Sequence, residues 1–233
     1  MDQRTISDQL ELLATTRTIR RYTDEPVSDS DLNTILWSAS RAPSGSNRQL
    51  FRFMVLRESP MANEVKKLLG AAFRAGWANK REDDGYRQGS GRAADSPKSR
   101  QAAAMQHYVD NFESIPVVVL VCLKRHRAPN PYEGASVYPA CQNLLLAARA
   151  LGYGAALTMW HQAVETELRE MLAIPDDVAL SACITIGRPQ GSHGPVRRRP
   201  IAELVYEDRW EQSAAWAIDP PGTKFTSVGP PSR

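Results

Sequence analysis

The sequence is poor in the residues that announce several kinds of chemistry. Its 233 residues include three cysteines, Cys122, Cys141 and Cys183. None belongs to a CxxC pair and each sits in an apolar run, which argues against a disulfide framework and reads as packing thiols in a reducing compartment. The four histidines, His107, His126, His161 and His193, are scattered without metal-ligand spacing, so no metal is expected. No apolar run approaches the ~20 residues of a membrane span. The opening residues, MDQRTISDQL, lack the continuous apolar stretch of a signal peptide. A cytoplasmic protein without a membrane partner is therefore expected. There is no GxGxxG after a first strand and no P-loop, which leaves a Rossmann or P-loop nucleotide site unsupported. Aromatic residues make up 7% of the chain and do not interleave with the arginines. Together with a net charge of only +3, this makes a nucleic-acid partner a poor reading.

What is present suits one ordinary domain, or a domain with an arm: 42% of the residues are hydrophobic, enough for a sizeable core. Leucines at helical spacing mark a short helix over residues 8–14. Ser28 and Asp31 form a capping-box-like start to a second helix, whose apolar stripe is Leu32, Ile35, Leu36 and Ala39. The run FRFMVL, 51–56, reads as a strand, and 63–77 as a moderately amphipathic helix. Residues 79–99 are polar, rich in Gly and Ser, and predict a mobile surface excursion. A helix resumes near Gln101. The unbroken apolar run at 115–123 predicts a strand in a sheet covered on both faces. A strongly apolar helix at 138–151 stops at Gly152. An extended segment follows at 153–159, then a helix at 166–172 and a strand at 179–186. The tail from 208 shows little periodicity and cannot build its own core. Helices alternating with strands make the class α/β or α+β, with helices around a sheet.

Three polar segments carry the candidate chemistry. Arg17-Thr18-Ile19-Arg20-Arg21 offers planar guanidinium forks and a hydroxyl suited to phosphate oxygens. In a helical turn Arg17 and Arg20 would face one way. A solvated basic helix end is the competing reading. The stretch from Arg41 to Gln49 is stiffened by Pro43, given a sharp turn by Gly45, and dense in hydroxyls and amides at Ser44, Ser46, Asn47 and Gln49. It suits a polar ligand or an ordinary helix-to-strand loop. In PVRRRP, 195–200, flanking prolines hold three arginines extended, toward an acidic partner or simply toward solvent.

In this order the motifs resemble the nitroreductase family of FMN-dependent oxidoreductases. RTIRRY resembles its N-terminal phosphate element, and APSGSNRQ its second loop. YPACQNLLLAARALGYGAALT resembles its central helix and the segment passing the isoalloxazine, and GRP followed by PVRRRP resembles its C-terminal phosphate element. The resemblance covers residues 16–200. It implies an α+β fold with a mixed central β-sheet flanked by helices, in an intertwined homodimer. Residues 1–204 would form the FMN-binding domain, with 79–99 as a polar insertion, and 205–233 would wrap the partner subunit.

Carried over by position, the resemblance implies that Arg17, Thr18 and Arg20 contact the FMN phosphate and ribityl chain. Arg198, helped by Arg197 or Arg199, closes on the phosphate. Pro43, Ser44, Ser46 and Asn47 line a flavin held by the other subunit. Leu157, Thr158 and Met159 run along the ring, and a backbone N–H there reaches flavin N5. No side chain is nominated as catalytic, because the flavin carries the chemistry. The implied activity is ping-pong hydride transfer from NAD(P)H to a nitroaromatic, quinone or enone. Same-scaffold alternatives are a dehalogenase, a flavin-fragmenting enzyme, a natural-product oxidase, or an FMN storage or sensing protein. The sequence departs from the family pattern in three places. Thr16 stands where a first arginine is common, Leu50-Phe51 where Pro-Trp is common, and Trp160 where smaller residues are frequent, which would narrow the acceptor pocket. His161, beside the flavin segment, is a candidate proton donor, with a surface or structural role as the favoured competing reading.

Overall fold

A computed structural model describes residues 3–191 and 193–226. The chain divides into two compact units, Thr16–Gly191 and the N-terminal residues 1–15 together with 192–233.

The larger unit is built on four strands, β1 (Phe51–Leu56), β2 (Val117–Lys124), β3 (Gly154–Thr158) and β4 (Val178–Gly187), in the order β1-β2-β4-β3. All three pairings are antiparallel. The expected mixed sheet is therefore corrected: the parallel elements among the described residues are two isolated bridges, Thr18 to Ala155 on the outer edge of β3 and Arg198 to Phe225 in the smaller unit. The fold is α+β.

β2 is buried along almost its whole length, as its apolar run predicts. Successive side chains of a strand point to opposite faces. Val117, Val119, Val121 and Leu123 accordingly enter one core cluster, while Val118, Leu120 and Cys122 enter the other. On β4 the alternation is broken once. Val121 pairs with Ala182 and Cys122 with Leu180, so Ser181 is an extra residue, a bulge. The first face is covered by α2 (Asp29–Ser40) and α5 (Tyr138–Ala150), the second by α3 (Pro60–Asp83) and α4 (Pro97–Asp110). A short α6 (Glu165–Leu172) adds Leu168 to the second cluster.

The helix signals in the sequence hold in their chemistry. Ser28 caps α2 by accepting the Asp31 N–H at 3.1 Å. The box is only half made, because the Asp31 carboxylate instead accepts the Tyr153 hydroxyl at 2.7 Å. After α5 the chain turns at Gly152 with φ +79°, where a side chain would be strained.

Residues 79–99 are more ordered than their composition suggests. α3 runs on to Asp83 and α4 begins at Pro97, capped by Ser96. Lys80 pairs with Asp84 across one turn, Tyr86 packs edge-on against buried Trp77 at 5.1 Å, and Lys98 lies over the Tyr86 ring while donating to the Asp84 carbonyl at 3.0 Å. A polar sequence can be held in this way by one buried aromatic anchor.

The smaller unit contains α1 (Gln3–Thr15) and the irregular chain after Ser192. Arg198 bridges to Phe225, accepting from Thr226 N at 2.9 Å. Tyr206 bridges to Ser213, and the Tyr206 and Trp210 rings meet at 5.0 Å. In this stretch only Ala214 and Ala217 are buried hydrophobics, while Leu204, Trp210, Trp216 and Ile218 are largely exposed. The expected C-terminal arm includes residues 227–233, which lie outside the described residues.

Candidate functional site

The arginine segment is extended, not helical, since α1 ends at Thr15. Thr18 bridges Ala155, and the Ile19 N–H donates to the Ala155 carbonyl at 3.0 Å. Ile19 is buried against the bare α-carbon of Gly154. Three residues on, Tyr22 bridges Pro189, and Gln190 N–H donates to the Arg21 carbonyl at 3.0 Å. With Ile19 and Tyr22 as pins, Arg17 and Thr18 stay exposed and Arg20 is half-buried. The Tyr22 hydroxyl donates to the Ile19 carbonyl at 2.5 Å and lies 2.9 Å from Thr185 Oγ1, and the Tyr108 hydroxyl lies 3.1 Å from the same oxygen. Burial pushes both phenols well above their ordinary range, so they remain neutral beside Arg20. That guanidinium lines a cavity of about 240 Å³ with Tyr22, His107, Tyr108 and Asn111. The helical reading that turned Arg17 and Arg20 to one side is thereby corrected.

β3 is an edge strand of the sheet. Because the Ala155 carbonyl faces the outer edge, the period of two turns the Leu157 backbone to the same edge. Leu157, Thr158 and Met159 are half-buried there, directly along the strand from the arginine segment.

The loop after α2 is unusual in its backbone. Ser46, Asn47 and Gln49 all have φ near +50°, a region L-residues rarely occupy and one that clusters at functional sites. The sharp turn expected at Gly45 is thus taken by its neighbours. Gly45 serves close approach instead: a Cβ there would lie 3.3 Å from the Ser136 hydroxyl, which accepts the Gly45 N–H at 3.2 Å. Pro43, Ser46 and Asn47 are exposed and Ser44 is half-buried. Ser136 was not legible as a site residue, since it stands far away in sequence with no motif of its own. The next residues in chain, Val137 and Tyr138, line a cavity of about 350 Å³ that also includes Met159.

Beside the flavin segment the next two residues pack inward. Trp160 packs edge-on against Phe73 at 5.6 Å and over Gly76 of α3, in the second core cluster. His161 is fully buried, its Nε2–H directed at the Leu180 carbonyl at 3.3 Å. Burial lowers its pKa, so it is a neutral structural residue, not an accessible proton donor. The three cysteines are free and buried, their thiols pushed up to about 11 for Cys122 and about 12 for Cys141 and Cys183. Among the described residues no His, Cys, Asp and Glu group could hold a metal ion, and no helix is long and apolar enough to cross a membrane.

In the smaller unit, Arg197 and Arg198 are exposed. Among the described residues their guanidinium groups donate to backbone carbonyls, of Phe225 at 3.3 Å and Arg197 at 2.9 Å. Arg199 differs, being paired with Glu203 at 3.2 Å.

These features define an α+β domain with an arginine segment laid along an exposed sheet edge and a strained polar loop after its second helix. The chain belongs to the nitroreductase family, whose model matches residues 13–188. It is 27% identical over 188 residues to an Archaeoglobus fulgidus protein named for NADH dehydrogenase and NAD(P)H nitroreductase activity, covering 78% of this chain and 85% of that one. It is 24% identical to iodotyrosine deiodinase 1 of Rattus norvegicus, over 84% and 67% of the two chains. Among solved structures, a Desulfovibrio desulfuricans protein described as a nitroreductase in complex with FMN aligns with a TM-score of 0.62 and 29% identity, over 87% of this chain and 97% of that one.

Proposed function

We propose that this chain is an FMN-dependent oxidoreductase that takes reducing equivalents from NAD(P)H and delivers them to a small organic acceptor: a nitroaromatic, quinone or enone. The observation that carries the reading is the pinning of Arg17 and Thr18 to β3 beside Leu157–Met159. It sets oxyanion donors and an edge backbone in line, as an elongated phosphate-bearing ring cofactor requires. Bound FMN would supply the hydride-transfer chemistry between NAD(P)H and the acceptor.

The residues present fit that group. Arg17, Thr18 and Arg20 would supply phosphate and ribityl donors, and Arg197 and Arg198 of the smaller unit are the further guanidinium donors that the family resemblance nominates. Arg20 also reaches the cavity described above, so it is the least peripheral of the set. Leu157, Thr158 and Met159 would offer backbone along the ring, with an N–H there to hydrogen-bond its N5. Pro43, Ser44, Ser46 and Asn47 complete the site from the partner subunit of a homodimer. Oriented N–H groups and guanidinium ions stabilise the negative charge of the reduced ring. No side-chain acid or base is assigned.

The visible spectrum of the purified protein tests this. Flavin absorption that bleaches on adding NADH or NADPH is expected, and a colourless protein that takes up no added FMN would sink the proposal. The deiodinase relative supports a second reading, in which the acceptor is a halogenated aromatic and two electrons with one proton replace its carbon–halogen bond by carbon–hydrogen and release halide. Iodide release from 3-iodotyrosine by the reduced protein separates the two.

A further inference from the structure

The loop at residues 44–49 holds three left-handed non-glycine residues within four positions, yet almost nothing hydrophobic holds it. From Gly45 to Gln49 every residue is exposed. Such backbone persists only where its surroundings over-determine it, so the polar contacts of the loop must do the holding. One set closes the loop on itself: Ser44 Oγ accepts the Gln49 N–H at 2.9 Å, the Ser44 carbonyl accepts Asn47 N–H at 2.9 Å, and the Gly45 carbonyl accepts Arg48 N–H at 3.2 Å. Two contacts tie the loop to the rest of the unit: the Gly45 N–H donates to Ser136 Oγ, and the Arg52 guanidinium donates to the Gln49 carbonyl at 2.9 Å.

The platform under Ser136 is rigid. Its turn, Glu133–Ser136, is fixed at one end by a two-pronged pair between Glu133 and Arg125, at 2.7 and 2.9 Å. At the other end Val137 is 1% exposed in the first core cluster and leads into α5. Ser136 thus connects the strained loop to the end of β2 and to the start of α5. Gly45 fits this role because any side chain there would crowd the same hydroxyl. Within the loop, the Gln49 amide donates to Asn47 Oδ1 at 3.1 Å, which occupies the Asn47 carbonyl and leaves its Nδ2–H₂ to donate outward.

We propose that Ser136 is a positioning residue: its hydroxyl holds Gly45, and through it sets Ser46 and Asn47 in the left-handed conformation that meets the cofactor of the partner protomer, with Asn47 presented as a hydrogen-bond donor. This rests on the FMN reading above for the identity of what the loop meets, but not for the ordering of the loop itself.

The test uses the whole purified protein and two readouts, amide hydrogen exchange over residues 45–49 and the rate of FMN release. Ser136→Ala leaves the Gly45 N–H without its acceptor. It is expected to speed both exchange and FMN release, the latter roughly tenfold, the worth of one backbone hydrogen bond. Ser136→Thr keeps the hydroxyl and is expected to restore both. Should Ser136→Ala fail to fold, Gly45→Ala, which crowds the hydroxyl from the other side, is expected to give the same paired change. Unchanged exchange in the variants overturns the proposal. So does faster exchange with unchanged FMN release, or a threonine variant that behaves like alanine. If the wild-type protein binds no FMN, the cofactor reading fails by itself, and the exchange data still decide whether Ser136 orders the loop.

Discussion

Ile19 lies so close to Gly154 that a Cβ on the glycine would stand 2.6 Å from both Cβ and Cγ2 of the isoleucine. These atoms belong to the branched root of the side chain, not to a flexible end, so Gly154→Ala cannot be absorbed by a rotamer change. The segment carrying Arg17, Thr18 and Arg20 must lift from β3. Overpacking of this kind costs about 1–3 kcal/mol. The expected result is a lower urea midpoint together with weaker FMN retention, whereas Gly191→Ala, at an open glycine, is expected to leave FMN retention unchanged even though its positive φ makes it strained. Equal FMN retention in Gly154→Ala would separate the arginine segment from the cofactor.

The three consecutive arginines of the C-terminal motif should not be equivalent. Among the described residues the Arg198 guanidinium donates to a backbone carbonyl, while Arg199 is engaged with Glu203. A hydrogen bond to a charged group is worth roughly 1.5–3 kcal/mol, so Arg198→Ala is expected to raise the FMN dissociation constant about tenfold to a hundredfold. Arg199→Ala removes an exposed ion pair of small worth and is expected to change it little. Fluorescence titration of FMN at two salt concentrations checks both, since phosphate pairing weakens with salt.

His161 gives the protein a predictable acid response. Burial holds its pKa below the ordinary 6.5, so the unfolded chain takes up a proton that the folded chain refuses. Stability from this residue is fully present above about pH 6.5 and falls as the pH drops from there toward the folded value, by at most ~1.4 kcal/mol per pH unit. Asp31 and Glu133, whose carboxyls are held below their ordinary 3.8 and 4.5 by Tyr153 and Arg125 respectively, add their own loss only at lower pH. Urea midpoints between pH 5 and 7 should therefore slope in the wild type and flatten in His161→Gln. An unchanged slope in the variant would remove His161 as the cause.

The sequence made the β2 run legible because burial on both faces leaves no polar residue to interrupt it, and β1, β3 and β4 were read within a few residues. The antiparallel order and the bulge at Ser181 were not legible, since pairing partners lie far apart in the chain and a bulge adds no distinctive residue. At the site, the arginine segment and the polar loop could be found from their donors. Their conformations could not: the first is extended because Ala155 pairs with it, and the second turns at Ser46, Asn47 and Gln49 because Ser44 and Ser136 hold it. The direction taken by Trp160 and His161 was not legible for one reason. Adjacency in sequence to the flavin segment says nothing of which way the chain turns, and after Met159 it turns inward toward α3 and β4.

The C-terminal chain provides the last prediction. In the smaller unit Trp210 is 82% exposed, Ile218 78% and Trp216 63%, although Trp216 is oriented by a hydrogen bond from its indole N–H to Glu207 at 3.0 Å. Large aromatic side chains held in place yet left in water are what protein interfaces bury. A second copy of this chain is the occupant that the homodimer reading supplies, and a stable interface needs roughly 1,200–2,000 Å² of buried surface. Ending the chain after Leu204 is therefore expected to give insoluble or flavin-free protein. The milder double change Trp210→Ser with Trp216→Ser should shift the sedimentation equilibrium from dimer toward monomer and lower FMN occupancy with it. A truncated chain that remained dimeric and yellow would show that the arm serves neither the interface nor the cofactor.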